Sequence, residues 1–172
     1  PTDEDYIRDI EMTKAMGFNG VRKHQKVEDS RYLYHADRLG LLVWGEFGAA
    51  YVYSQEYAHR MYAEWMEAVE RDYNHPCIVA WTPLNESWGV PEIKVDKFQQ
   101  AHCNALIQMT KSLDLSRPVI DNDGWEHTCG DLLTVHDYAS SGEVLKKHFG
   151  SMDAILALTP AGRSLYANGY GY

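Results

Sequence analysis

The chain has 172 residues, 45% of them hydrophobic, which is enough for one domain with a sizeable core and is not a disordered composition. Its formal charge of −9 and the lack of any basic block exclude a nucleic-acid partner and give no support to an anionic membrane surface. No apolar run reaches the length of a spanning helix.

Residues 1 to 20 carry charges throughout where a signal peptide would need an apolar core, so this segment holds no signal peptide, and both cytoplasm and periplasm stay compatible with it. The chain opens with a helix: Thr2 or Asp3 caps it, Ile7, Ile10, Met12, Ala15 and Met16 give the helical spacing, and Gly17 stops it. Phe18 to Arg22 reads as a short strand. Ser30 to Leu39 is helical with Gly40 as its stop, and Leu41 to Trp44 is a second strand ending at Gly45-Glu46. A long amphipathic helix covers Ser54 to Tyr73 and is closed by Asn74-His75-Pro76. The third strand is Ile78 to Trp81, and Val95 to Leu113 is the next helix. Val119-Ile120-Asp121 is a fourth strand and Leu132 to His136 a fifth, followed by weaker helical segments near Gly142 to Phe149 and Met152 to Leu158. The tail from Thr159 to Tyr172 has no strong period and reads as a loop.

Strands alternating with helices through short connections specify parallel β/α units with right-handed crossovers. The expected fold class is therefore α/β, a single incomplete (β/α)8 barrel of about five parallel strands with intervening helices, because a closed barrel takes about 250 residues.

Chemistry concentrates in Trp81-Thr82-Pro83-Leu84-Asn85-Glu86-Ser87-Trp88-Gly89, an Asn-Glu pair at a strand's carboxyl end between two tryptophans. Aromatic faces suit the apolar faces of pyranose rings, an amide suits a hydroxyl, and a partly desolvated carboxyl suits a general acid. Glu86 is the candidate acid. The other strand ends are also polar or aromatic: Arg22, Lys23 and His24; Trp44 and Glu46; Asp121, Asn122, Asp123 and Trp125; His136, Asp137 and Tyr138. In a parallel barrel all of these share one face.

Four ordered motifs, Gly17-Phe18-Asn19-Gly20-Val21-Arg22, Ala36 to Glu46, Asn74 to Trp81 with Asn85-Glu86-Ser87, and Ser116-Arg117-Pro118-Val119, resemble the family 2 glycoside hydrolases, the β-galactosidase and β-glucuronidase family. The resemblance runs from about Asp3 to Tyr138 and implies a retaining exo-β-glycosidase acting on a terminal sugar, with Glu86 as acid/base and Asn85 on the sugar 2-hydroxyl. It equates these strands with family strands two to six. Strands one, seven and eight, the nucleophilic Glu after strand seven, and the family's β-sandwich domains are then expected outside this chain. Double displacement needs two carboxyl groups about 5 to 5.5 Å apart, whereas Glu46 paired with Glu86 at about 6.5 to 9.5 Å would permit inversion instead. Arg22, His24, Trp44, Glu46, Trp88, Asn122, Trp125, His136 and Tyr138 complete the candidate sugar-binding set, with Trp88 and Trp125 as platforms and Trp81 as a wall. Arg22 reads equally well as an ion-pair partner at the barrel end.

Some family members bind magnesium through the Asn-Glu glutamate and a Glu-x-His that Phe47 to Tyr51 does not offer, and the eight histidines are scattered singly, so neither a metal nor another cofactor is expected. The three cysteines, Cys77, Cys103 and Cys129, read as buried free thiols. The competing expectation is a non-catalytic β/α segment, inactive alone, whose open barrel edges promote self-association.

Overall fold

The computed structural model describes residues 1–171; the end of the expected tail loop, Tyr172, lies outside the described residues. Helix α1 spans Asp3–Ala15, and Thr2 is its cap: the Thr2 hydroxyl accepts from the Asp5 N–H while the Asp5 carboxylate accepts from the Thr2 N–H, a reciprocal capping box. Of the five residues that suggested its apolar face only Ile10 is buried; Tyr6 joins it in the core, and Met12 and Met16 are exposed. Strand β1 (Gly20–Arg22) leads to helix α2 (Ser30–Leu39), capped by Asp29 and ended by Gly40 at φ 71°, a left-handed value that glycine adopts without steric cost.

Strand β2 (Leu42–Glu46) pairs in parallel with β1, and strand β3 (Ile78–Thr82) pairs in parallel with β2, with a register shift at Val43 and Trp44. Between them helix α3 (Gln55–Asp72) starts on the Ser54 hydroxyl, which accepts from the Tyr57 N–H. Pro83 then interrupts the ladder, since it has no N–H to donate. Beyond it the two-residue strand β4 (Leu84–Asn85) changes partner. After helix α4 (Lys97–Leu113), Val119 bridges Trp81 of β3 in parallel, and strand β5 (Asn122–Asp123) pairs in parallel with β4. The fourth expected strand therefore begins as a single bridge and forms its ladder three residues further on.

The fifth expected strand does not form a ladder. Leu132 to His136 is an irregular segment held by separate contacts: His127 Nε2 lies 2.8 Å from the Thr134 carbonyl oxygen, and the Thr134 hydroxyl accepts from the Gly124 N–H at 2.9 Å. Its one backbone bond to the end of β5 runs from the His136 N–H to the Gly124 carbonyl at 3.2 Å. Short helices α5 (Gly142–His148) and α6 (Met152–Leu156) follow.

The result is an α/β arc of parallel strands that does not close into a complete barrel. α1 packs on α2 and α3 on α4. The core between sheet and helices holds Ile10, Tyr32, Leu33, Val43, Trp65, Val69, Ile78, Trp81, Leu106, Ile107 and Val119. Burying a large side chain of this kind is worth roughly 1.5–3 kcal/mol, so the sheet is held mainly by the helices that cover it. Trp81 is the expected wall: its ring meets Trp65 edge to face at 5.8 Å and its Nε1–H donates to Asp114 at 2.9 Å. Cys77 and Cys103 are buried free thiols, but Cys129 is exposed, because it sits in the turn after Thr128 with its sulfur beside Asn104 Oδ1 at 3.1 Å.

Candidate active site

The parallel strands bring their carboxyl ends together, and two carboxylate clusters form there. The first centres on Glu46 at the end of β2. Its side chain has no exposed surface, and Arg22 Nε donates to Oε2 at 2.7 Å while the Gln25 N–H donates to Oε1 at 2.7 Å. His24 Nδ1 lies 3.2 Å from the same Oε1 and 3.0 Å from Arg22 Nη2. The guanidinium also reaches Asp123 Oδ2 at 2.9 Å and donates to Asn85 Oδ1 at 2.5 Å. Arg22 thus ties the ends of β1, β2, β4 and β5 together, which fulfils the ion-pair reading of this residue. Planar guanidinium donors suit such a multi-partner position better than a lysine ammonium would.

The second cluster centres on Glu86, immediately after β4. Its N–H donates to the Asp123 carbonyl at 2.9 Å, extending the β4–β5 pairing by one residue. Its carboxyl Oε1 receives His136 Nδ1 at 2.7 Å and the Tyr138 hydroxyl, whereas Oε2 has no hydrogen bond among the described residues. His136 Nε2 lies 3.1 Å from Asp123 Oδ2, so both ring nitrogens face carboxylate oxygens. An imidazolium satisfies both contacts as a double donor. The hydrogen bond to Asp123 accordingly raises the His136 pKa above its ordinary value, with Glu86 adding to the effect, while burial and Arg22 act against it. Burial alone would raise the Asp123 carboxyl, but hydrogen bonds from His136 and Thr134 and the charge of Arg22 carry it below the usual range. The Tyr138 phenol is raised chiefly by its hydrogen bond to Glu86.

Arg22, His24, Glu86, Val135, His136, Asp137 and Tyr138 line a cavity of about 360 Å³, within the size range of small-ligand sites. Five of the expected site residues meet there. Asn85 lies directly behind them, buried, with Oδ1 on Arg22 and Nδ2 without a partner among the described residues. Trp44 is half-buried and its Nε1–H donates to Thr82. Trp88 is 42% exposed in its loop, against Tyr51 edge to face at 5.4 Å.

Two other expected contacts are buried and do not line the cavity. Asn122 is fully buried: its Oδ1 accepts from the Ser87 N–H at 2.9 Å and its Nδ2 donates to the Trp125 carbonyl at 2.6 Å, so all of its amide serves the loops and none faces the cavity. Trp125 is only 6% exposed, with its ring against His136 at 6.0 Å and Tyr138 at 6.5 Å, so it backs those two side chains. Asp123 was recognisable as a strand-end carboxylate, yet its place as the hinge between the two clusters depends on contacts with Arg22 and His136 that no local pattern encodes. Among the described residues no three His, Cys, Asp or Glu side chains are grouped to hold a metal ion.

Residues 2–149 match the family model for glycosyl hydrolases family 2, TIM barrel domain. The chain belongs to glycosyl hydrolase family 2. Among its relatives, a β-galactosidase of Vibrio vulnificus is 30% identical over 147 residues, covering 80% of this chain and 13% of that protein. A β-glucuronidase of Mus musculus is 28% identical over 145 residues, covering 78% of this chain and 22% of that protein. The crystal structure of a glycosyl hydrolase family 2 member from Bacteroides cellulosilyticus superposes with a TM-score of 0.62 at 30% identity, covering 70% of this chain and 16% of that one. The chain therefore spans 13% and 22% of the length of the two curated relatives compared. The open arc of strands is a part of the family 2 barrel.

Proposed function

We propose that this chain supplies the acid/base half of a retaining exo-β-glycosidase site acting on terminal β-linked sugars, with Glu86 as the general acid/base. The observation that carries the reading is the division of labour within one carboxyl group. Oε1 of Glu86 takes both available donors, His136 and Tyr138, and Oε2 takes none, in a cavity of about 360 Å³ at the strand ends. Oε2 is then the oxygen that gives its proton to the departing glycosidic oxygen and, as a carboxylate, takes one from the attacking water.

The nucleophile in this reading comes from outside the described residues. Glu46 does not serve, because both of its oxygens are engaged and its side chain is buried, leaving no room for the water that inversion requires. Asn85 holds Arg22 through Oδ1, and its unpartnered Nδ2 is the donor that a sugar hydroxyl could satisfy; a buried donor without an acceptor costs roughly 1–3 kcal/mol. His24 and Tyr138 contribute hydroxyl contacts at the cavity wall. Trp88 is the candidate platform, and Trp44 is a further candidate contact.

Glu86→Gln in the enzyme that contains this chain tests the reading. Hydrolysis of glycosides with poor leaving groups should collapse while that of activated aryl glycosides largely survives in kcat/KM, since only the former need protonation. Equal losses on both substrates would overturn the acid role. Proton NMR of the first-formed anomer tests retention, with initial release of the β anomer expected.

A further reading concerns the 172 residues as a free polypeptide. Leu42 and Val79 on the sheet are exposed, an arrangement that favours a covering segment in the parent protein. The isolated chain is accordingly inactive and self-associates, and size-exclusion chromatography with a parallel activity assay checks both points.

A further inference from the structure

Glu86 stands on backbone that needs support. Glu86 and its neighbour Ser87 adopt φ of 50° and 59°, left-handed values that a residue with a Cβ holds only when its surroundings compensate. The compensation comes from two distant segments. The Ser87 N–H donates to Asn122 Oδ1 at 2.9 Å, Asn122 Nδ2 donates to Ser87 Oγ at 3.0 Å, and the Ser87 hydroxyl donates to Glu126 Oε2 at 2.6 Å. Glu126 is itself buried and left-handed, at φ 54°. Arg163 Nη2 donates to the same Glu126 Oε2 at 2.5 Å and to the Pro91 carbonyl at 3.1 Å. Backbone bonds fix the segment alongside: the Glu126 N–H donates to the Ser164 carbonyl and the His127 N–H to the Leu165 carbonyl, each at 2.8 Å.

We propose that Ser87, Glu126 and Arg163 form a positioning relay that sets the aim of the Glu86 carboxyl group from behind the cavity. The inference rests on the acid/base reading of Glu86. None of the three lines the cavity, so they touch no substrate there and act only through the turn that carries Glu86. The logic is electrostatic. A buried carboxylate keeps its place when a guanidinium and a hydroxyl share its oxygen, and it seeks water when the guanidinium is removed. Once Glu126 shifts, Ser87 loses an acceptor, and the consecutive left-handed residues relax towards more favourable angles. Oε1 of Glu86 then slips from His136 and Tyr138, and Oε2 no longer meets the leaving oxygen. A misplacement of about 1 Å can cost on the order of 100-fold in rate.

The test compares Arg163→Met, Arg163→Lys and Ser87→Ala with Glu86→Gln in the enzyme that contains this chain. Each is assayed in kcat/KM on one sugar bearing either an alkyl or an activated aryl leaving group. Arg163→Met should lose roughly 10- to 100-fold more on the alkyl glycoside than on the aryl one, and Arg163→Lys should recover most of that difference, on the scale expected for a displaced catalytic group. Ser87→Ala removes only the hydroxyl and should show the same bias more weakly; should Arg163→Met fail to fold, Ser87→Ala decides. Proportional losses on both substrates, or none on either, would overturn the relay. With Glu86→Gln selective and the relay variants unselective, only the relay falls. An unselective Glu86→Gln removes the acid reading and the relay with it.

Discussion

Two strand-end glutamates of the same barrel face have opposite surroundings. Glu46 ends β2 with no exposed side-chain surface and with both oxygens taken by Arg22 and the Gln25 N–H, whereas Glu86 follows β4 with a side chain 16% exposed and one oxygen without a partner among the described residues. A saturated carboxylate is a strut; a half-saturated one at a cavity wall retains a lone pair for chemistry. Asp123 connects the two, on Arg22 from one side and on His136 from the other.

The sharpest way to break that contrast is to neutralise each glutamate in turn. Glu86→Gln should lower kcat/KM on poor-leaving-group glycosides by about 10³-fold, in the range of general acid catalysis, with little change in the midpoint of denaturant unfolding. Glu46→Gln should do the reverse in kind. It removes one of the two carboxylates on the part-buried Arg22, which keeps Asp123, and should cost roughly 1–3 kcal/mol of stability, read from the same unfolding curves. Equal destabilisation by the two changes would erase the distinction between strut and acid.

Sequence alone hardly separates these two residues. Both follow short apolar strands, and what distinguishes them is Arg22, 24 positions before one and 64 before the other, which folding brings to Glu46 and not to Glu86. The elements themselves were more legible. Thr2 and Asp5, Gly40, Ser54 and Pro76 mark boundaries through local chemistry, so α1 to α4 and β1 to β3 fall close to where the pattern puts them. The segment Leu132 to His136 has strand composition but meets the His127 ring and the Gly124 backbone N–H instead of a ladder, a tertiary outcome with no local signature. The burial of Asn122 and Trp125 was illegible for a related reason: position at a strand end says which face a residue is near, not whether the loops fold over it.

The histidines repeat the contrast on a smaller scale. His102 is buried among the rings of Tyr53, Tyr57 and Tyr62, with Nε2 unpartnered, and burial lowers its pKa to about 4. The folded protein keeps it neutral while the unfolded chain binds a proton near its ordinary 6.5, so the unfolded state gains protons first as the medium is acidified. Its contribution is intact above pH 6.5 and is lost as pH falls towards 4, by about 3 kcal/mol at roughly 1.4 kcal/mol per unit. His102→Phe should flatten that slope in urea unfolding measured across the same window. An unchanged slope would show that other groups set the acid limb.

His136 has the opposite sign and the smallest expected effect. Its pKa is raised by Asp123 and Glu86, so the folded state holds a proton that the unfolded chain releases. The stabilisation is complete below its ordinary value of 6.5 and disappears as pH rises through the raised one. Histidine NMR resonances should therefore show His136 titrating above 6.5, and Glu86→Gln should move that titration downward by removing one of its two carboxylate partners. The same substitution should leave His102 untouched, because no carboxylate contributes to its shift. If His136 titrates at its ordinary value in the intact chain, the bridge between Asp123 and Glu86 is not maintained in solution, and Oε1 of Glu86 keeps only the Tyr138 hydroxyl as its donor.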